Sequence, residues 1–171
     1  GILARECAKK GIPVWMTAEG GFLSAVEVAT VLALLRVIDN PLREVHLLAL
    51  LHSPIFAFSP DRLANIRADH PNTDFYRAVR AAAAGGDAQC ADFLEKLGGF
   101  RRLAVTLPAD ALLRRLYDET GYFTLVQAME NGAQRRANLL LLLEYARGFE
   151  SAGFKGLPGF LRFIDRLDPE A

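Results

Sequence analysis

From Asn40-Pro41 onward, residues that stop or start helices recur at intervals that leave room for one helix at a time and little else. Proline lacks the N–H that a helix interior needs and pushes the preceding residue out of helical geometry, so Asn40-Pro41 ends one helix. Ser59-Pro60-Asp61 then offers a serine cap ahead of a first-turn proline, and Thr73 or Asp74 can cap the helix after it. Gly85-Gly86 breaks that helix, Asp87 begins another, Pro108 opens the next and Thr120-Gly121 closes it. Asn131-Gly132 precedes the longest one. The segments between carry apolar residues at helical spacing, which predicts helices over about 25–38, 43–52, 60–69, 74–84, 108–120, 125–129 and 134–151, and one beginning at Asp87 that carries Phe93, Leu94, Leu97 and Phe100. A last helix places Phe160, Phe163, Ile164 and Leu167 on one face. The fold class is therefore mainly α, a multi-helix arrangement.

The first 40 residues read differently. Residues 2–10 form a helix pattern closed by Gly11, and Ile12-Pro13-Val14-Trp15-Met16 reads as a short buried strand, the one good strand signal in the chain. Ser24 followed by Glu27 has the spacing of a capping box, in which each side chain satisfies the other residue's backbone N–H. The helix after it is apolar almost all round and belongs at the centre of the fold. Two local expectations concern later helices. Gly98-Gly99 should kink or break its helix, since each glycine costs roughly 1 kcal/mol relative to alanine. The five leucines at 139–143 form a run too apolar to keep one side in water.

The chain has 171 residues, 51% of them apolar, enough for one or two small cores. Its 20 basic and 20 acidic side chains cancel, so any contact with nucleic acid has to be local. Cys7 and Cys90 are distant in sequence and read as reduced, buried thiols of a cytoplasmic protein. No apolar run approaches the roughly 18 residues of a membrane span, and no signal-peptide pattern opens the chain. It begins at Gly1 without an initiator Met, inside a helix-like pattern, and reads as a piece of a longer protein.

Catalytic chemistry has no visible owner. A phosphate-binding loop needs G-x-x-x-x-G-K-[ST], and the chain contains no such string. Gly153, Gly156 and Gly159 around Lys155 have no strand ahead of them and match no dinucleotide fingerprint. His46 and His52 lie about 120° apart around one helix and cannot converge on a metal, while His70 sits at a helix end ahead of Pro71. Asp118 and Glu119 point apart, and Glu144 and Glu150 have basic neighbours, so no carboxylate pair is available for acid–base work. We expect no catalytic residue, cofactor or metal within the chain.

One ordered set of signals is specific. The strand Ile12-Pro13-Val14-Trp15 is followed by Gly20-Gly21-Phe22-Leu23, by Glu27, and by a helix ending Leu34-Leu35-Arg36-Val37-Ile38-Asp39-Asn40-Pro41. This order resembles a stretch of the UvrD/Rep superfamily of ATP-dependent DNA helicases. The segment Leu47-Leu48-Ala49-Leu50-Leu51-His52-Ser53-Pro54-Ile55-Phe56 looks like the Ser-Pro segment that follows in those enzymes, AddA-type helicase-nucleases in particular. Thr120-Gly121-Tyr122, Gln134-Arg135-Arg136-Ala137-Asn138-Leu139 and the Phe160-Leu161-Arg162-Phe163-Ile164 core also look like AddA landmarks. The resemblance covers essentially the whole chain.

The resemblance implies that residues 1–40 are an edge of the second RecA-like motor domain, a short α/β piece, and that residues 41–171 are a helical accessory insertion of the 2B type. It implies a parent enzyme that uses ATP and Mg, unwinds and degrades duplex DNA in double-strand-break repair, and works with an AddB-type partner subunit. The partners of this region would be duplex DNA, bound weakly and without sequence preference, the motor domains and that subunit. Many relatives place glycines in the turn after Ser-Pro, where backbone N–H groups can approach duplex phosphates, but here the turn reads Phe56-Ala57-Phe58-Ser59. Ala57 argues against such contact and leaves the N–H groups at the Ser59 helix start as the anion site. Ser53, Ser59 and Arg62 are thus expected to form a duplex-contacting edge, with Arg101 and Arg102 as a second basic spot. The competing expectation is an all-helical protein-interaction module that does not bind DNA.

Overall fold

The computed structural model describes residues 21–168. The expected helix at 2–10, the strand at 12–16 and Cys7 lie outside the described residues, as does most of the expected α/β piece. Among the described residues every regular element is a helix: α1 (Val26–Asp39), α2 (Glu44–His52), α3 (Pro60–Asp69), α4 (Phe75–Ala84), α5 (Ala88–Thr106), α6 (Ala109–Thr120), α7 (Tyr122–Gln127), α8 (Gly132–Ser151) and α9 (Leu157–Leu167). The mainly α expectation holds.

The local chemistry that marks the helix ends is visible. The Ser59 hydroxyl accepts from the Arg62 N–H at 3.2 Å at the start of α3, and Asp74 does the same for the Arg77 N–H at 2.9 Å at the start of α4. Asp87 accepts from the Cys90 N–H at 3.1 Å ahead of α5. Gly121, at φ 64°, closes α6 in the left-handed conformation that a side chain disfavours. α1 is as apolar as expected, with every residue from 31 to 38 buried.

The chain divides into two compact units, one continuous at Leu32–Leu103 and one that joins the residues up to Val31 to those from Ala104 on. In the discontinuous unit, α6, α7 and α9 each pack on α8. Leu112, Leu113, Leu116 and Tyr117 of α6 are buried, as are Leu139, Leu142, Ala146 and Phe149 of α8. Each such leucine contributes roughly 1.5–3 kcal/mol by leaving water. The Tyr117 hydroxyl donates to the Leu139 carbonyl at 2.9 Å, which offsets the cost of burying it. Glu150 of α8 accepts from the Ala109 N–H at 2.6 Å and so caps α6, whose own N-cap, Pro108, has no side-chain acceptor. Phe149 lies 5.5 to 5.7 Å from each of Phe154, Phe160 and Phe163.

In the continuous unit α4 packs on α2 and α3. Leu47, Leu50 and Leu51 of α2, Ile66 of α3 and Phe75, Ala78 and Val79 of α4 are buried, together with Phe58. Arg67 ties α3 to its surroundings, donating to the Thr73 carbonyl at 2.6 Å, pairing with Glu44 and lying over the Phe75 ring.

Three expectations are corrected. α5 does not break at Gly98-Gly99 but runs through both, because Cys90, Phe93, Leu97 and Phe100 are buried along one of its faces and outweigh the propensity cost. The leucine run is not enclosed on all sides: Leu139 and Leu142 are fully buried, whereas Leu140 is 43% exposed, since a helix turns its successive residues to different sides. The capping box is replaced by other bonds, with the Ser24 hydroxyl donating to the Gly21 carbonyl and both Glu27 oxygens engaged by groups far along the chain.

Candidate functional site

Ser53 is the C-cap of α2 and turns extended into Pro54, which ends the helix. Its hydroxyl donates to the Leu50 carbonyl at 2.6 Å, and the residue is buried. That oxygen points into the protein. The following turn also satisfies itself: the Phe56 and Ala57 N–H groups reach the Ser53 carbonyl at 3.2 and 2.8 Å, and the Phe58 N–H reaches the Leu51 carbonyl at 2.9 Å. His52 Nδ1 lies 3.0 Å from the Phe58 carbonyl, and Phe56 meets Phe93 edge-on at 4.8 Å. Ala57 adopts φ 55°, a left-handed conformation that suits glycine better. The turn therefore keeps the shape a glycine would give it, with the Phe56, Ala57 and Phe58 amide donors engaged internally.

At the start of α3, Pro60 has no N–H, and those of Arg62 and Leu63 go to the Ser59 hydroxyl and carbonyl. The N–H of Asp61 is the first-turn donor these bonds do not use, and it sits beside a carboxylate that repels anions. Arg62 projects from α3 to an ion pair with Asp87, the residue that leads into α5, leaving its side chain 39% exposed. Cys90, one turn into α5, has its thiol pKa raised by burial, an effect that the Arg62 charge opposes. Ser59 and Arg62 are thus neighbours, but Arg62 shares its charge.

Arg101 and Arg102 stand apart from them, near the other end of α5 and about 20 Å along its axis from Asp87 at 1.5 Å per residue. Both are exposed. The Arg102 guanidinium folds back over the glycine pair, within 3.6 Å of where a side chain on Gly98 would begin and 3.8 Å of the corresponding point on Gly99. Five expected site residues thus fall into two groups, and the more available cations are the second.

The discontinuous unit contains a polar node that the sequence did not announce. Glu27 is 3% exposed, and one of its oxygens accepts from Arg135 at 2.9 Å while the other accepts from Asn138 at 2.6 Å. Arg135 also donates to the Glu130 carbonyl at 2.9 Å, tying the node to the turn ahead of α8. Tyr122 sits beside it: burial raises its pKa most, the Thr30 side-chain hydrogen bond lowers it, and the charges of Glu27 and Arg135 act in opposite senses. With both carboxylate oxygens engaged, Glu27 is built for holding α1 and α8 in register rather than for proton transfer. Among the described residues no group of three or more His, Cys, Asp or Glu side chains is placed to hold a metal ion, and no helix is long and apolar enough to cross a membrane.

No protein-family model matches the chain. Over 97% of its length it is similar to curated proteins named as the A subunit of an ATP-dependent helicase/nuclease. It is 41% identical over 170 residues to that of Acetivibrio thermocellus, 38% over 169 residues to that of Thermoanaerobacter pseudethanolicus and 37% over 175 residues to that of Clostridium novyi. The chain spans 14% of the length of each of these relatives.

Proposed function

The chain is homologous to one segment of the AddA-type subunits of ATP-dependent helicase/nucleases, and from that premise we propose that it is a non-catalytic accessory region of a UvrD/Rep-type DNA helicase-nuclease acting in double-strand-break repair and recombination. Residues 1–40 would edge the second motor domain, and residues 41–171 would form the 2B-type insertion that guides duplex DNA and regulates the motor. ATP, Mg and the chemistry of hydrolysis belong in this reading to other parts of the parent, with an AddB-type protein as its partner. The observation that carries the reading is similarity along 97% of the chain to proteins whose name states a helicase and a nuclease.

The physical role follows from the kinds of group on offer. Exposed guanidinium groups meet phosphates without reading bases, so the contact would be independent of sequence. Arg101 and Arg102 carry most of it, Arg62 contributes what Asp87 leaves it, and the Ser59 helix start adds at most a weak dipolar attraction. Ser53 supports the turn from inside rather than touching DNA.

The test is binding of a labelled blunt duplex with a single-stranded extension, followed by fluorescence anisotropy at low and moderate salt. Two phosphate contacts predict a log–log salt slope of about −2. Arg101→Ala with Arg102→Ala should remove most of the binding, and Arg62→Ala should remove less. No binding at low salt would overturn the duplex-guiding role and favour the interaction module. Of the exposed large apolar residues, Leu42 and Val45 are neighbours at the start of α2, and such a pair is too small a patch to favour that module on its own.

A further inference from the structure

Gly98 and Gly99 lie in the middle of α5, where glycine is a poor helix former, and packing does not require either of them. A side chain begun at Gly98 would meet only the tip of Arg102 at 3.6 Å, and one begun at Gly99 would meet only the same tip at 3.8 Å, both ordinary contacts with a movable group. Neither glycine has the positive φ that excludes other residues. Contrast Gly132, where an added carbon would fall 2.1 Å from the Gln127 carbonyl oxygen and glycine is compulsory.

The anchoring of α5 changes at the same place. Cys90, Phe93, Leu97 and Phe100 are buried, whereas beyond Phe100 no residue of the helix is, and Val105 is 85% exposed. The backbone bonds from the N–H groups of Arg101, Arg102 and Leu103 reach back four residues to the carbonyls of Leu97, Gly98 and Gly99, so they bridge the weak step. We propose that Gly98-Gly99 is a built-in opening point of α5, at which the helix bends or locally unwinds and lets residues 101–106 move against the core-anchored part before them.

Arg101 and Arg102 lie on the moving side. If they hold phosphates, as the duplex-guiding reading has it, the opening point lets two fixed cations adjust to the spacing and direction of a nucleic-acid backbone. That consequence rests on the proposed function, but the opening point itself does not.

Amide hydrogen exchange of the 171-residue chain, followed residue by residue by NMR without DNA, tests it. The expected pattern is a step in protection, with the N–H groups of Arg101, Arg102 and Leu103 exchanging at least ten-fold faster than those of Phe93 and Leu97 in the same helix. Gly98→Ala and Gly99→Ala should each shrink the step about five-fold, and together about twenty-fold, because the helical state gains what glycine withholds. Equal protection on both sides in the unaltered chain would overturn the proposal, as would a step that keeps its full size in the double-alanine variant. A chain that shows the step but binds no duplex would sink the duplex-guiding role and leave the opening point standing.

Discussion

Arg135 meets the buried carboxylate of Glu27 at 2.9 Å across 108 residues of chain. Asn138, one turn further along α8, takes the other carboxylate oxygen. Because Glu27 is buried, removing it strands the two donors, and Glu27→Ala should destabilise the chain by about 3 kcal/mol. Glu27→Gln keeps an oxygen for one donor and should cost about half as much. Urea unfolding of both variants, with an Arg135→Gln cycle to isolate the pair, checks this; a loss below about 1 kcal/mol for Glu27→Ala would show that the node contributes little to stability.

Gly132 predicts a sharper effect. A methyl group there would have to occupy the space of the Gln127 backbone, 2.1 Å from its oxygen, and backbone cannot swing aside as a side chain can. Gly132→Ala should therefore lower stability by roughly 3 kcal/mol or more, although alanine is the better helix former. Thermal unfolding decides between the two signs.

Adjacent leucines of α8 should behave unlike one another. Leu139→Ala empties a fully buried site and should cost about 2–5 kcal/mol, while Leu140→Lys at a 43% exposed site should stay within about 1 kcal/mol of the unaltered chain. Equal losses at the two positions would show the run to be enclosed after all.

Ala57 holds φ 55° in a turn where glycine would be unstrained. Ala57→Gly relieves that conformation but loosens the unfolded chain, so the net gain should be modest, about 0.5 kcal/mol, whereas Ala57→Val should lose about 1–2 kcal/mol. The melting temperatures of the two variants should move in opposite directions.

Tyr117 and Tyr122 both have raised pKa values, chiefly from burial, against an ordinary value of 10.0. The folded state then holds these protons more tightly than the unfolded state does. The corresponding stability is fully present below pH 10 and is lost as pH rises above it. Stability measured between about pH 9 and 11.5 should fall with pH, and Tyr117→Phe should flatten the decline while losing about 1 kcal/mol at neutral pH for the missing bond to Leu139.

What is legible in the sequence is what neighbouring residues decide. Ser59, Asp74 and Gly121 mark helix ends by bonds or dihedral preferences that span four residues or fewer, and the structure has helices where they point. The Leu112, Leu113, Leu116 and Tyr117 stripe follows from helical spacing alone. Glu27 misleads because Ser24-x-x-Glu27 satisfies a local rule, while its partners stand 108 and 111 residues away. Gly98-Gly99 misleads because propensity is local and the buried anchors around it are not. Among the expected site residues, the two arginines of α5 are exposed as a charge pattern suggests, but the inward turn of Ser53 and the Arg62 pairing with Asp87 depend on packing that spacing cannot display.

The division of the chain into one continuous and one interrupted unit sets an order during synthesis. A ribosome delivers Leu32–Leu103 complete while Glu27 and the buried Val28 and Val31 still await residues from Ala104 on. At about 5–20 residues per second, Arg135 follows Glu27 after roughly 5–20 s. During that interval the nascent chain carries a finished middle and the first turns of α1, up to Val31, without their partners, so translation speed beyond residue 103 governs how long that surface is open to chaperones and proteases.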